Sequence, residues 1–244
     1  MPPRILTVSG LIGSGKTSVC RKIEARTGWR VVSAGTILRK MAEESGLSVI
    51  EFNERAKTDA SIDKKIDDSL RALNASDEPL IVDSRLAWHF IPGGYKIHLV
   101  VDKDIAAQRV FSARRSDEHY ATPEEAYTAN AQRQTLENER FKHYYGVDCE
   151  LWSNYDFVLD TGTLQPEELA EYALKAHARE ARGPECHVDP RRIRVPEKSS
   201  VPEAYPPELR WDGENVDAVS GELHVLAARE MNAPLLACRL AALA

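Results

Sequence analysis

Gly10-Leu11-Ile12-Gly13-Ser14-Gly15-Lys16-Thr17 is the stretch on which the reading of this chain turns. It fits the pattern G-x-x-x-x-G-K-S/T, in which glycines let the backbone curl so that consecutive N–H groups point into one anion-sized hollow. The pattern carries meaning only between a strand and a helix, and both flanks comply. Before it, Arg4 to Ser9 reads RILTVS, short, apolar and β-branched; after it, TSVCRKIEART has helical spacing and aims the positive end of its dipole at the same hollow. Lys16 is then placed to reach the outer phosphates of a bound triphosphate and Thr17 to ligate Mg²⁺. Gly10, Gly13, Ser14, Gly15 and Ser18 complete the cradle. ATP and Mg²⁺ are therefore the expected ligands.

Outward from that loop lie four more short apolar runs: WRVVS (29–33), PLIVD (79–83), YKIHLVV (95–101) and YDFVLD (155–160). Each is too brief for a helix. The charged segments between them carry helix-start signals, a capping box over Ser48 to Glu51 and a cap followed by proline and acid at Thr122-Pro123-Glu124-Glu125. Five near-continuous apolar strands separated by helices predict an α/β fold, a five-stranded parallel sheet with helices on both faces and ligands at the carboxyl ends of the strands.

The third run ends in Asp83-Ser84-Arg85. An acid at a strand tip beside the phosphate loop is where a second magnesium-organising group belongs, so Asp83 joins Thr17 as a metal candidate. A strand-end turn aspartate is the competing reading of Asp83, and an ordinary surface arginine that of Arg85. Further along, Arg109, Arg114, Arg115, Arg133 and Arg140 fall in two helical segments interrupted by residues 116–122. A helical hairpin bearing guanidinium groups suits a lid that neutralises a phosphoryl group in flight while shedding water.

Composition narrows the classes. The 244 residues are 43% hydrophobic and 29% charged, enough for one medium domain with a small appendage. Net charge is -6, with basic residues scattered, which argues against a nucleic acid polymer as partner. Cys20, Cys149, Cys186 and Cys238 form no C-x-x-C pair, so a zinc site or disulfide framework is not expected and reduced thiols are. The first residues lack a leader pattern and no window reaches the ~20 apolar residues of a membrane span. A cytoplasmic, membrane-free protein is the expectation.

Texture changes after about Arg182. Gly183-Pro184 is expected to end the last helix, and six of the thirteen prolines fall between Pro184 and Pro207. Residues 1–182 are thus expected to form one domain and 183–244 a proline-rich linker with a small α+β appendage. The appendage holds a helix from about Gly221 to Met231 and then an apolar strand or short helix. About sixty residues support only a marginal core, so it is expected to pack on the first domain, on a protein partner or on a second copy.

The blocks GLIGSGKTSVCRKI, SAGTILRKMAEESGLSVIEFNERA, SIDKKID, IVDSRLAW, RQTLENERFKHYYGVD and NYDFVLDT resemble, in order and spacing, the short archaeal-type cytidylate kinase family, over about residues 4–175. The resemblance implies a P-loop nucleoside monophosphate kinase fold with a helical lid, ATP at Gly10 to Thr17, and a nucleoside monophosphate acceptor. It implies that Ser33, Gly35 and Arg39 lie in the acceptor pocket and that Arg85 grips the acceptor phosphate. It also implies that Arg109, Arg114, Arg133 and Arg140 line the lid, and that Asp63, on an I-D-x-x-x-D pattern, faces the base or braces the pocket. The chain departs from the family where E-G-R-L becomes Asp83-Ser84-Arg85-Leu86, which puts a side chain where glycine lets a ligand approach. CMP or dCMP, or a modified cytidylate, is the implied acceptor.

Two other readings stay open at this level. In one, the acceptor is a hydroxyl of a small metabolite and Asp83 serves as base. In the other, the chain is a nucleotide-gated module regulating a partner through its C-terminal region. That region, HVDPRRIRVP and then SGELHVLAAREMNAPLLACRL, is similar to the ParB/sulfiredoxin-like fold. Ser220-Gly221-Glu222-Leu223-His224 replaces that family's D-G-H-x-R, so His224 stands in place of its arginine. A degenerate docking or regulatory module is implied, with His224 a helix-surface or packed histidine.

Overall fold

A computed structural model describes residues 3–48, 51–52, 55, 59–113, 120–180, 183, 185–195, 204–212 and 215–241, apart from the side chains of Ala60, Asp63 and Arg133. Strand β1 (Ile5–Gly10) is buried at every residue, as a central strand covered on both faces must be. Helix α1 (Lys16–Thr27) follows the glycine loop, and β2 (Arg30–Ser33) leads into α2 (Ala34–Glu44). After α3 (Ala60–Ala72) come β3 (Leu80–Asp83), the single turn α4 (Ala87–Phe90), β4 (Tyr95–Val100) and α5 (Lys103–Ser112). The long α6 (Pro123–Tyr145), β5 (Phe157–Asp160) and α7 (Pro166–Ala178) complete this part.

All five strands read from the sequence are present, paired in parallel in the order β2-β3-β1-β4-β5. Crossover helices cover both faces. On one, Val19, Cys20 and Ile23 of α1 pack with Leu169, Ala170, Ala173 and Ala176 of α7 against Leu6, Ile81 and Leu99. The small residues along α7 let it approach α1 closely. The lid hairpin is also present, α5 lying against α6. Helix α6 starts as its sequence asks, with the Thr122 side chain accepting from Glu125 N and Pro123 at the first position, and it stops at Gly146 with φ 67°.

The sheet does not stop at β5, and here the five-strand expectation is corrected. Strand β6 (Glu185–Val188) adds in parallel to the free edge of β5, with Val158 opposite Cys186. Beyond it lie β10 (Leu236–Leu240), β8 (Glu208–Trp211), β9 (Val216–Ala218) and β7 (Ile193–Arg194), giving ten strands among the described residues. An uncovered β5 edge would present a row of unpaired N–H and C=O groups. ECHV satisfies it while burying only Cys186 and Val188, an alternation too short to read from composition.

The segment after α8 (Glu222–Glu230) is the strand β10, which settles the strand-or-helix alternative. Cys186, Val188, Ile193, Leu209 and Val225 join Val100, Trp152, Tyr155 and Val158 in one core, and Trp152 stacks on Trp211 at 4.8 Å. The C-terminal region therefore packs on the body of the same chain. Helix α7 ends at Ala178, before Gly183-Pro184, because Arg179 caps it and Glu180 turns into the left-handed region at φ 53°. His224 lies half-buried with its ring 5.1 Å from that of Tyr205, a packed histidine. All four cysteines are free and buried, and no described helix is long and apolar enough to cross a membrane.

Candidate functional site

The glycine loop is held from behind before it holds anything itself. Leu11 N donates to Leu99 O of β4 at 3.0 Å, and Ile12 N donates to Gln134 Oε1 of α6 at 2.9 Å. Gln134 is in turn fixed by donating to Glu150 Oε1 at 2.9 Å. Space explains the glycines. A Cβ on Gly13, at φ 72°, would come within 2.7 Å of Ala106 Cα, and one on Gly10 within 2.8 Å of Leu99 O. Gly15 has open space around it but sits at φ 73°, where it starts α1. Ser14 lines the cleft too, though its hydroxyl is buried without a hydrogen-bond partner among the described residues.

Lys16 and Thr17 open α1 and converge on one carboxylate. Asp83, at the tip of β3, takes Lys16 Nζ on Oδ1 at 2.9 Å and the Thr17 hydroxyl on Oδ2 at 3.3 Å. Adjacent parallel strands β1 and β3 end side by side, which is why an acid at residue 83 faces a loop that starts at residue 10. The loop floors a cleft of about 1870 Å³, also reached by Ser18. Gly10 and Gly13 keep the loop backbone tight against Leu99 and Ala106, as a phosphate cradle needs, and the hard oxygen donors of Thr17 and Asp83 suit a magnesium-type cation. Among the described residues no cluster of three or more His, Cys, Asp or Glu side chains could hold a metal, so a cation would share those two residues with the nucleotide's own oxygens.

On the β2–β3 side of the loop the expected acceptor residues share the same cleft. Ser33 caps α2, accepting from Thr36 N at 3.0 Å, so its side chain is engaged in starting that helix. Arg39 Nη2 donates to Thr36 Oγ1 at 3.4 Å, and Gly35 precedes it with room for a Cβ. Arg85 pairs with Glu137 of α6 at 2.7 Å. The Ser84 side chain is buried. The Asp63 side chain lies outside the described residues. Four residues on, Asp67 is buried, lines the cleft and accepts a hydrogen bond from the Tyr145 hydroxyl. Sequence reasoning missed Asp67 and Tyr145, although Asp67 is the second acid of the I-D-x-x-x-D pattern and lies one helical turn from the first.

The lid arginines divide. Arg140 lines the cleft. Arg109 lines it as well, but its guanidinium is built into the wall. It donates to Thr161 O at 2.7 Å, to Thr161 Oγ1 at 3.1 Å and to Gly13 O at 3.4 Å. Burial lowers its pKa, against the opposing pull of Asp160. The picture of Arg109 as a mobile lid group is thus corrected: it ties the glycine loop to the segment after β5. Arg114 lies outside the described residues, as does the side chain of Arg133. Behind the loop, burial depresses the His98 pKa to about 3, helped by the charge on Lys16. Neither ring nitrogen of His98 has a hydrogen-bond partner among the described residues, and the ring stacks on Tyr155 at 4.4 Å.

Comparison with known proteins agrees with this geometry. The sequence profile of the cytidylate kinase-like family matches residues 5–163. A cytidylate kinase of Methanobrevibacter smithii is 35% identical over 170 residues, 70% of this chain and 96% of that protein. An S-adenosylmethionine-dependent nucleotide dehydratase of Lacinutrix mariniflava is 36% identical over 171 residues, but these make up only 35% of that longer protein. Among solved structures, a shikimate kinase from Acinetobacter baumannii superposes with a TM-score of 0.50 at 15% identity, covering 73% of this chain and 94% of the other, which speaks for the fold alone. From a profile that covers most of the sequence, a relative matched along nearly its whole length and a glycine loop facing Asp83, it follows that the chain belongs to the cytidylate kinase-like family of P-loop nucleoside monophosphate kinases.

Proposed function

We infer that the protein transfers the terminal phosphoryl group of ATP, with Mg²⁺, to CMP or dCMP. The observation that carries this is the two-sided cleft: Lys16, Thr17 and Asp83 on its floor, with Arg39, Arg85 and Asp67 beyond β3 and Arg109 and residues 162–165 beyond β4. Cytosine offers an amino donor next to ring acceptors. The Asp67 carboxylate supplies an acceptor for the amino group, and Lys64 and Arg71 in the same cleft supply donors for the ring.

Magnesium, when bound, neutralises phosphate charge. The backbone N–H groups of the loop and Lys16 hold the donor phosphates in place, Arg85 and Arg39 orient the acceptor phosphate, and Arg140 draws developing charge toward the lid side. A phosphate acceptor with a second pKa near 6 is largely ionised at neutral pH, so no side chain has to remove a proton. The engagement of both Asp83 oxygens, by Lys16 and Thr17, supports a metal-organising role over that of a base for a hydroxyl acceptor.

Incubating purified protein with ATP and magnesium against CMP, dCMP, UMP, AMP and a panel of small alcohols tests the reading. Diphosphate formation fastest from CMP or dCMP is expected. Equal rates on every monophosphate would overturn the cytidylate assignment, and transfer to an alcohol alone would overturn the acceptor class.

A further inference from the structure

The wall of the cleft on the β5 side is the segment 162–165, and the C-terminal region grips it from outside. Asp160, at the end of β5, is fully buried. One of its oxygens accepts from Gly162 N at 3.0 Å. The other takes Arg192 Nη1 at 2.5 Å and Asp189 N at 3.3 Å. Arg192 and Asp189 both lie beyond the residues matched by the family profile. A second tie runs from Thr163 Oγ1 to Pro234 O at 2.9 Å, just ahead of β10.

Burying a carboxylate completely is costly unless it is paired and hydrogen-bonded. Here part of that compensation comes from the segment that walls the cleft and the rest from the C-terminal region, so neither can move without disturbing the other's bond. Gly162 sits tightly in its place: a Cβ there would meet Ile105 Cδ1 at 3.2 Å and Asp160 Oδ1 at 3.3 Å. Next to it, Thr161 is the anchor of Arg109, whose remaining bond reaches Gly13 in the phosphate loop. A continuous chain of contacts thus runs from Arg192 through Asp160, Gly162, Thr161 and Arg109 to the glycine loop.

We propose that Arg192 is a positioning residue for the donor nucleotide: through Asp160 it holds segment 162–165 as the wall against which the nucleoside end of the donor rests, so the C-terminal region sets donor affinity and leaves acceptor affinity alone. The assignment rests on the reading that ATP fills the glycine loop. The sheet supports the division, because β5 and its following segment lie on one side of β1 while β2 and β3, with Arg39 and Arg85 near their tips, lie on the other.

The test is calorimetric binding of ADP with magnesium to the full chain and to two variants, Arg192→Gln and Thr163→Val, with steady-state KM for ATP and for CMP measured in parallel. Arg192→Gln is expected to weaken ADP binding and raise the KM for ATP by roughly three- to thirty-fold while the KM for CMP stays within about twofold, and Arg192→Lys to recover part of the loss. Thr163→Val removes the bond to Pro234 and keeps the side chain's size at a half-buried position of the wall, and it is expected to shift ADP affinity the same way, by less; it carries the test if Arg192→Gln fails to fold. Unchanged ADP affinity in folded variants, or equal rises in both KM values, overturns the proposal. Because ADP binding needs no acceptor, a wild-type chain that binds ADP yet phosphorylates no monophosphate refutes the proposed reaction and leaves this test intact.

Discussion

Replacing Asp83 by asparagine separates what the carboxylate does in the free protein from what it does in the reaction. In the free protein it holds Lys16 at 2.9 Å and Thr17 at 3.3 Å. Asparagine keeps an acceptor for Thr17 but offers Lys16 a neutral oxygen. Loss of one charge-assisted hydrogen bond costs about 2 kcal/mol of stability. Nucleotide binding without metal moves the other way. A carboxylate about 6 Å from a phosphate, at an effective dielectric near 40, repels it by ~1.4 kcal/mol, and Lys16 no longer has to leave an anion. ADP in EDTA should therefore bind Asp83→Asn as well as wild type or up to about tenfold tighter. With magnesium the order reverses if Asp83 organises the metal as proposed, and kcat should fall by roughly 10² to 10³, partly restored by raising magnesium. Calorimetry in EDTA and in magnesium, with turnover across a magnesium titration, reads all three. Equal loss of ADP affinity with and without metal would refute the reasoning, because Asp83 would then be a prop for the loop. Loss of turnover that magnesium leaves untouched, following a carboxylate titration, would instead favour a base acting on a hydroxyl.

His98→Phe keeps a ring against Tyr155 and removes a group that is neutral in the fold. Because its folded pKa is near 3 against an ordinary 6.5, the unfolded chain takes up the proton first. Wild-type stability is then full above about 6.5 and falls as pH drops toward 3, by about 2 kcal/mol between 6.5 and 5, and urea unfolding at pH 7 and 5 should show that loss shrinking in the variant. Gly13→Ala combines a φ of 72° with a Cβ 2.7 Å from Ala106, so ADP affinity should fall more than about tenfold while the glycine loop and α5 are forced apart. Tyr145→Phe deletes the hydrogen bond to Asp67, worth ~1 kcal/mol, and should raise the KM for CMP by about fivefold with the KM for ATP unchanged.

The parts of the fold that the sequence declared are those where one residue type had one reason to be there. Gly10, Gly13 and Lys16 declared the loop because backbone space and phosphate charge exclude other residues. RILTVS and YKIHLVV declared central strands because both faces are buried, leaving no polar alternation to confuse with a helix. Thr122-Pro123 declared the start of α6, and the structure has the cap as read. What stayed hidden depends on partners far along the chain. Arg109 reads as a lid arginine until Thr161, 52 residues away, takes its guanidinium. Gln134 and Glu150 look like surface residues of a polar helix and loop, yet together they fix Ile12 N. The strand β6 was invisible for the same cause: ECHV has no strong period of its own, and only the open edge of β5 makes it a strand.

That the added strand is parallel has a chemical consequence. In a parallel sheet every strand ends on the side where ligands bind. Since β6 runs with β5, the residues that leave it, Asp189 to Arg192, emerge beside those that leave β5, Asp160 to Gly162. An antiparallel β6 of the same four residues would have delivered them about 13 Å away, at the opposite end of the sheet. Asp160 would then lie buried without Arg192, and losing one partner of a buried ion pair costs about 3–5 kcal/mol. The parallel direction of β6 is therefore what brings Arg192 to the buried carboxylate, and the C-terminal region meets the cleft through its wall.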